Sequence, residues 1–140
     1  MDISELQSEN QLREAFPVMR ELRTHLDEEH YIELLRVMMQ RGYRLLALRD
    51  GGRIVALAGI EVCTNLYNDR HVWVFDLVTT AEARSRGYGR ALLAYVEELG
   101  RREGCKMVAL NSGLQRIDAH RFYERHMGFD RVSYSFNKRL

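Results

Sequence analysis

Arg84-Ser85-Arg86-Gly87-Tyr88-Gly89 follows a hydrophobic run that reads as a strand and opens a well-patterned helix. Such a junction suits a phosphate, because the first amides of a helix lack intrahelical partners and the helix dipole favours negative charge there. The two glycines remove Cβ atoms where a backbone must approach a ligand. Arg84, Arg86 and Arg90 bring three cations, and no acidic residue occurs from Arg84 to Val96. The expected guest is an anionic cofactor.

Spacing discriminates among glycine-rich loops. A P-loop requires Gly-x-x-x-x-Gly-Lys, and no lysine lies near. A dinucleotide fingerprint requires a third small residue at position 92, which is Leu92, and a downstream acid for the ribose. What remains is Arg-x-x-Gly-x-Gly after a strand.

Outward from this loop, Val72-Trp73-Val74-Phe75-Asp76-Leu77-Val78 is almost continuously apolar, so the strand before the loop should be central and covered on both faces. Upstream, Arg44 to Arg49 and Arg53 to Thr64 are strand-like and joined by Asp50-Gly51-Gly52, a hairpin signal. Tyr67-Asn68-Asp69-Arg70 turns the chain into the third strand. Glu9 to Leu22 and Asp27 to Arg41 carry helical spacing, with Leu12, Phe16 and Met19, then Ile32, Leu35, Met38 and Met39, on one side. A short strand at Asp2 to Leu6 can precede them. Downstream, Gly87 to Glu103 predicts a helix with Tyr88, Ala91, Leu92, Tyr95, Val96 and Leu99 on one stripe, closed by Arg101, Arg102 and Gly104. Lys106 to Leu110 is a short buried strand, and the crossover from the central strand makes a parallel βαβ unit. Ile117 to His126 reads as a second amphipathic helix, with a last strand near Arg131 to Asn137. The pattern is α/β with a mixed sheet.

At 140 residues and 46% hydrophobic content, the chain suits one domain spanning 1–140 with its own core. A net charge of +1 gives no whole-molecule field for nucleic acid. Met1 to Arg13 is polar and acidic, and no apolar run approaches the roughly 18 residues of a membrane span, so no membrane partner and a soluble, cytoplasmic protein are expected. Cys63 and Cys105 lack Cys-x-x-Cys spacing and read as reduced, buried small hydrophobes, with no metal site.

The strand-loop-helix with Arg84, Gly87 and Gly89 resembles the acyl-CoA pyrophosphate loop of the GNAT N-acetyltransferase family. Asp76-Leu77-Val78-Thr79 stands before it as the family's central strand does. Ala119-His120-Arg121-Phe122-Tyr123-Glu124-Arg125 is similar to the family's helix before its final strand, and Gly128-Phe129 resembles the Gly-Phe that follows. The resemblance implies the GNAT-type acyl-CoA N-acyltransferase fold: a mixed sheet with central antiparallel hairpins, a splayed parallel strand pair and flanking helices. It also implies acetyl-CoA as cosubstrate, an amine acceptor and, as in many relatives, a possible homodimer. The backbone of Leu77, Val78 and Thr79 would pair with pantetheine. Amides of Ser85, Arg86, Gly87, Tyr88, Gly89 and Arg90 would hold the pyrophosphate, with charge-assisted bonds from Arg84, Arg86 and Arg90. Two departures stand out. Arg116 occupies the position, seven before the tyrosine, where the family often has Asn. Gly128 follows Tyr123 by five residues rather than four, so the end of this helix carries an extra residue that a bulge can absorb.

The implied chemistry is direct attack of an amine on the thioester, yielding the acetylated amine and CoA. An alkyl amine has a pKa of about 10.4, so freeing its lone pair at neutral pH costs roughly 4–5 kcal/mol and calls for a base. Glu61 and Asp76 are the carboxylates set within otherwise apolar strands; each is either that base or a structural acid tying strand to loop. Tyr123 matches the family's general acid for the departing thiolate, against the alternative of a core aromatic beside Phe122. His120, three residues earlier, could orient it. The acceptor site should involve Arg20 to Tyr31 and Thr64 to His71, where Asp27-Glu28-Glu29 either attracts a cationic amine or serves a helix N-terminus. A non-catalytic acyl-CoA-binding sensor or regulatory module is the alternative, separated from an enzyme by whether amines release CoA thiol.

Overall fold

The computed structural model describes all 140 residues, which divide into two compact units, Met1–Ala109 and Leu110–Leu140. The first holds β1 (Asp2–Leu6), α1 (Glu9–Leu22), α2 (Glu28–Gln40), β2 (Arg44–Asp50), β3 (Arg53–Asn65), β4 (Asp69–Thr79), a 3₁₀ turn (Ala81–Ala83) and α3 (Tyr88–Arg102), and it leads into β5 (Met107–Leu110).

The helices start where their caps dictate. Ser8 forms a reciprocal capping box with Gln11 at α1, and Asp27 accepts the His30 amide at 2.8 Å at α2. Gly51 and Gly52 both adopt positive φ, 60° and 80°, which is what a tight turn between right-twisted strands requires. Strands β1 to β4 pair antiparallel in chain order, and β5 follows as the fifth strand of the sheet. The Lys106 amide donates to the Arg70 carbonyl at 2.8 Å, so β5 starts beside the start of β4 and runs parallel to it. At four residues, β5 ends well short of the end of β4.

α1 and α2 cover one face of the sheet, burying Leu12, Phe16, Met19, Ile32 and Leu35 against Leu45, Leu57 and Val78. α3 supplies Leu92, Leu93 and Val96, each 0% exposed. A Cβ on its Gly100 would lie 3.0 Å from Val72 Cγ2, so that glycine sets how closely α3 approaches β4.

In the second unit, α4 (Ile117–Arg121) continues into a π-helical turn, Phe122–His126, in which the Met127 amide reaches back five residues to the Phe122 carbonyl at 3.1 Å. A turn of this kind is one residue wider than an α-helical turn, and it lies in the stretch where five residues rather than four separate Tyr123 from Gly128. The last expected strand does not form: Arg131 to Asn137 has no ladder, and Val132, Tyr134 and Phe136 are 85%, 77% and 93% exposed. Alternating side chains mark strand-competent sequence, but a strand exists only where a neighbour supplies the hydrogen bonds.

Candidate active site

Glu21 of α1 fixes the chain as it leaves β4. It accepts from the Thr80 hydroxyl at 2.6 Å and the Ala81 amide at 2.8 Å, anchoring the 3₁₀ turn. Arg84 is then extended, Ser85 adopts φ 65° and Gly87, the N-cap of α3, φ 82°. A left-handed serine is uncommon outside glycine-like positions and had no signal in the sequence. Gly87 offers no side-chain cap, no acid stands in the first turn, and the first intrahelical bond runs from the Ala91 amide to the Gly87 carbonyl at 3.0 Å. The amides of Tyr88, Gly89 and Arg90 therefore lack intrahelical acceptors.

Arg84, Arg86 and Arg90 are all exposed around this turn, and Arg84 Nε lies 3.4 Å from the Thr79 carbonyl. The buried Tyr88 side chain points elsewhere: its hydroxyl donates to Asp50 Oδ2 on the β2–β3 hairpin, and that bond pushes the phenol's pKa up. Only the backbone of Tyr88 is left for a ligand. Asp50 and Glu21, which brace the loop, could not be found from sequence because their partners lie 38 and 59 or more residues away.

Along β4, the Thr80 amide donates to Val55 on the β3 side at 2.9 Å. Peptide groups alternate direction along a strand, so those of Leu77 and Thr79 face the opposite edge, past the end of β5. Val78 is 7% exposed and its side chain belongs to the core. This edge can accept an extended, amide-bearing ligand as a further strand.

Asp76 is 9% exposed, with both oxygens engaged: Oδ1 accepts from Arg23 Nε at 2.9 Å and Oδ2 from the Tyr43 hydroxyl at 2.7 Å. Arg23 also donates to the Phe75 carbonyl at 2.7 Å, so one guanidinium ties the α1 C-cap to β4 at two points. Glu61 is half-buried on β3, opposite Trp73, and its carboxylate has no hydrogen bond or ion pair. The acids at the start of α2 are committed elsewhere, Asp27 to its cap and Glu28 and Glu29 to Arg13 at 3.0 and 2.7 Å.

Tyr123 lies in the second unit, 7% exposed, its ring against Phe122 and Phe129 at centroid distances of 5.4 and 5.7 Å. Burial pushes its phenol's pKa up, with the Arg116 guanidinium opposing, so the hydroxyl keeps its proton at neutral pH. It lines a cavity of about 330 Å³ together with Leu110, Asn111, Ser112, His120 and Tyr134, a size in the range of small-molecule sites. His120 Nε2 is 2.8 Å from the Gly113 carbonyl, a local tie within the same unit.

Comparison with known proteins gives this arrangement its class. The acetyltransferase (GNAT) family model matches residues 7–129. The uncharacterized N-acetyltransferase YhdJ of Bacillus subtilis is 44% identical over 137 residues, which is 97% of this chain and 96% of that protein. Aminoalkylphosphonate N-acetyltransferase of Salmonella typhimurium is 33% identical over 99 residues, 70% of this chain and 62% of that protein. Among solved structures, aminoglycoside N-acetyltransferase AAC(6')-Iy in complex with CoA has the same fold, with a TM-score of 0.86 at 15% identity over 99% of this chain and 93% of that one.

The fold is thus that of an acetyl-CoA-dependent N-acetyltransferase. The chain belongs to the GNAT acetyltransferase family, and its reaction is transfer of an acetyl group from acetyl-CoA to an amine. No helix is long and apolar enough to cross a membrane.

Proposed function

We propose that the turn from Ser85 to Arg90 grips the pyrophosphate of acetyl-CoA and that the free edge at Leu77, Val78 and Thr79 receives its pantetheine arm. The observation that carries this reading is the uncapped, acid-free start of α3, where unpaired amides follow two left-handed residues and three exposed arginines surround them. An anion there replaces water on several donors at once and is favoured by the helix dipole.

In this reading, the amine lone pair forms the new C–N bond as the C–S bond breaks. Glu61, whose carboxylate is unclaimed, accepts the proton of the attacking amine. Asp76, held by Arg23 and Tyr43, is the weaker candidate and serves mainly to hold β4 in place. Tyr123, protonated at neutral pH, delivers a proton to the departing thiolate, whose conjugate thiol has a pKa of about 8.5. The whole chain acts as one catalytic domain in the cytoplasm on a small primary amine, with no nucleic acid partner, either alone or as a pair of copies. The phosphonate-bearing amine named for the Salmonella relative makes short aminoalkyl compounds a sensible first set of acceptors.

The test is a screen of primary amines with acetyl-CoA, following free CoA thiol, beside calorimetry of CoA binding. CoA binding that is lost in Arg84→Ala/Arg86→Ala, with thiol release dependent on an amine, supports the reading. Absence of CoA binding to the intact chain refutes the loop assignment, and CoA binding without turnover of any amine leaves a sensor in its place.

A further inference from the structure

One face of β3 and β4 carries groups that the acyl-CoA loop does not use. The pairing sets Cys63 opposite His71, Glu61 opposite Trp73 and Gly59 opposite Asp76, and a register step after Gly59 leaves Phe75 as an extra residue in β4. This is a β-bulge, a device that re-aims side chains beside sites. Four rings follow one another here. His71 and Trp73 are 6.4 Å apart at 85°, Trp73 and Phe75 6.3 Å at 70°, and Phe75 and Tyr43 5.9 Å at 52°.

The two ends of this row are closed. Tyr43 is buried and donates to Asp76, while His71 is 2% exposed, with Nδ1 2.8 Å from the Asp69 carbonyl and Nε2 3.4 Å from Cys63 Sγ. The middle is open: Trp73 is half-buried and Phe75 39% exposed. Beside them stands the half-buried, unpartnered carboxylate of Glu61.

A partly desolvated carboxylate without a partner is unfavourable, and a cation relieves it. Two ring planes at a steep angle form a corner in which a cation can lie over a π face, and their hydrocarbon surface suits an apolar stem attached to it. Phe75 is also two residues from Leu77, about 7 Å along the strand from the start of the free edge. We infer that Trp73, Phe75 and Glu61 bind the protonated amino group of the acceptor, and that this acceptor is a primary amine on an apolar alkyl or aryl stem. The inference deepens the acetyltransferase reading and rests on it for the meaning of "acceptor".

Trp73 is the chain's single tryptophan, so its emission reports on this face alone. The intact protein, without acetyl-CoA, is titrated with 2-phenylethylamine and, in parallel, with 2-phenylethanol, which is uncharged and of similar size. The expected result is a saturable change in Trp73 emission, with the amine binding at least about 10-fold more tightly than the alcohol. Glu61→Gln should remove most of that preference, and Phe75→Ala should weaken amine binding about 10-fold. In turnover, Trp73→Phe should raise the amine KM and leave the acetyl-CoA KM unchanged. Equal affinity for amine and alcohol, or an undiminished preference in Glu61→Gln, overturns the inference. Amine-dependent thiol release with a silent Trp73 also overturns it while the acetyltransferase stands. A selective Trp73 response without thiol release supports the cation site and counts against the enzyme reading.

Discussion

The Tyr43 hydroxyl donates to Asp76 Oδ2 at 2.7 Å, across a position where β3 carries no side chain. That position is Gly59, paired with Asp76 in the ladder. A Cβ there would sit 1.8 Å from the Tyr43 oxygen and 2.6 Å from Asp76 Oδ2. The bond, the bulge at Phe75 and the glycine form one unit.

Gly59→Ala should therefore be among the most damaging small substitutions in the chain. Neither backbone nor ring can move aside cheaply, and separating the pair strands a buried carboxylate oxygen, so the cost is about 3 kcal/mol or more. Urea unfolding reads it directly. A midpoint equal to the parent's would mean that Tyr43 is not fixed where the structure has it.

Alkaline pH should weaken the fold through Tyr43 and Tyr31. Both are buried and donate inward, to Asp76 and to the Leu12 carbonyl, and burial is the main cause that raises each pKa, with the Asp76 charge adding to it. An unfolded tyrosine loses its proton near pH 10, whereas these hold theirs in the folded state. Their stabilisation is complete below about pH 10 and declines as pH rises beyond it, by at most about 1.4 kcal/mol per pH unit for each group. Denaturation midpoints measured upward from neutral pH should fall in that window, and less steeply in Tyr43→Phe.

Arg84→Ala and Arg86→Ala should each raise the acetyl-CoA KM about 5- to 20-fold with little change in kcat, since they act on a part of the cosubstrate remote from the reacting carbon. Because both side chains are exposed, the effect should shrink as salt is added. Steady-state kinetics at two ionic strengths distinguish this from a folding defect, which would follow no such trend.

Tyr123→Phe should lower kcat by about 100-fold while leaving CoA affinity in place. The phenol must be protonated to act, and its pKa is pushed up by burial. The parent enzyme should consequently show no loss of kcat attributable to this group until the pH exceeds the ordinary tyrosine range. An alkaline decline centred near neutrality that disappears in the Phe variant would refute the assignment.

Much of the architecture was legible because local signals agreed with one another. Gly51-Gly52 announced a tight turn, the stripe through Leu92 and Val96 announced α3, and the unbroken run from Val72 announced a strand covered on both sides. The turn that opens α3 was legible for the same reason: charge, glycine spacing and helix start coincide within six residues. What could not be read depended on distant partners. Asp76 looks like a lone acid in an apolar strand until Arg23 and Tyr43 arrive from 53 and 33 residues away. The aromatic row needs the bulge at Phe75, which no local pattern encodes. Val132, Tyr134 and Phe136 alternate as a strand would, but alternation does not supply a neighbour.

The wide turn at Phe122–His126 has a consequence for how this region tolerates change. A turn closed over five residues has room for one more than an α-helical turn, and the regular α-helical stretch from Ile117 to Arg121 precedes it. A change of one residue in length can be taken up within that turn, so the distance in sequence from that tyrosine to the next glycine is a poor ruler for where its hydroxyl ends up.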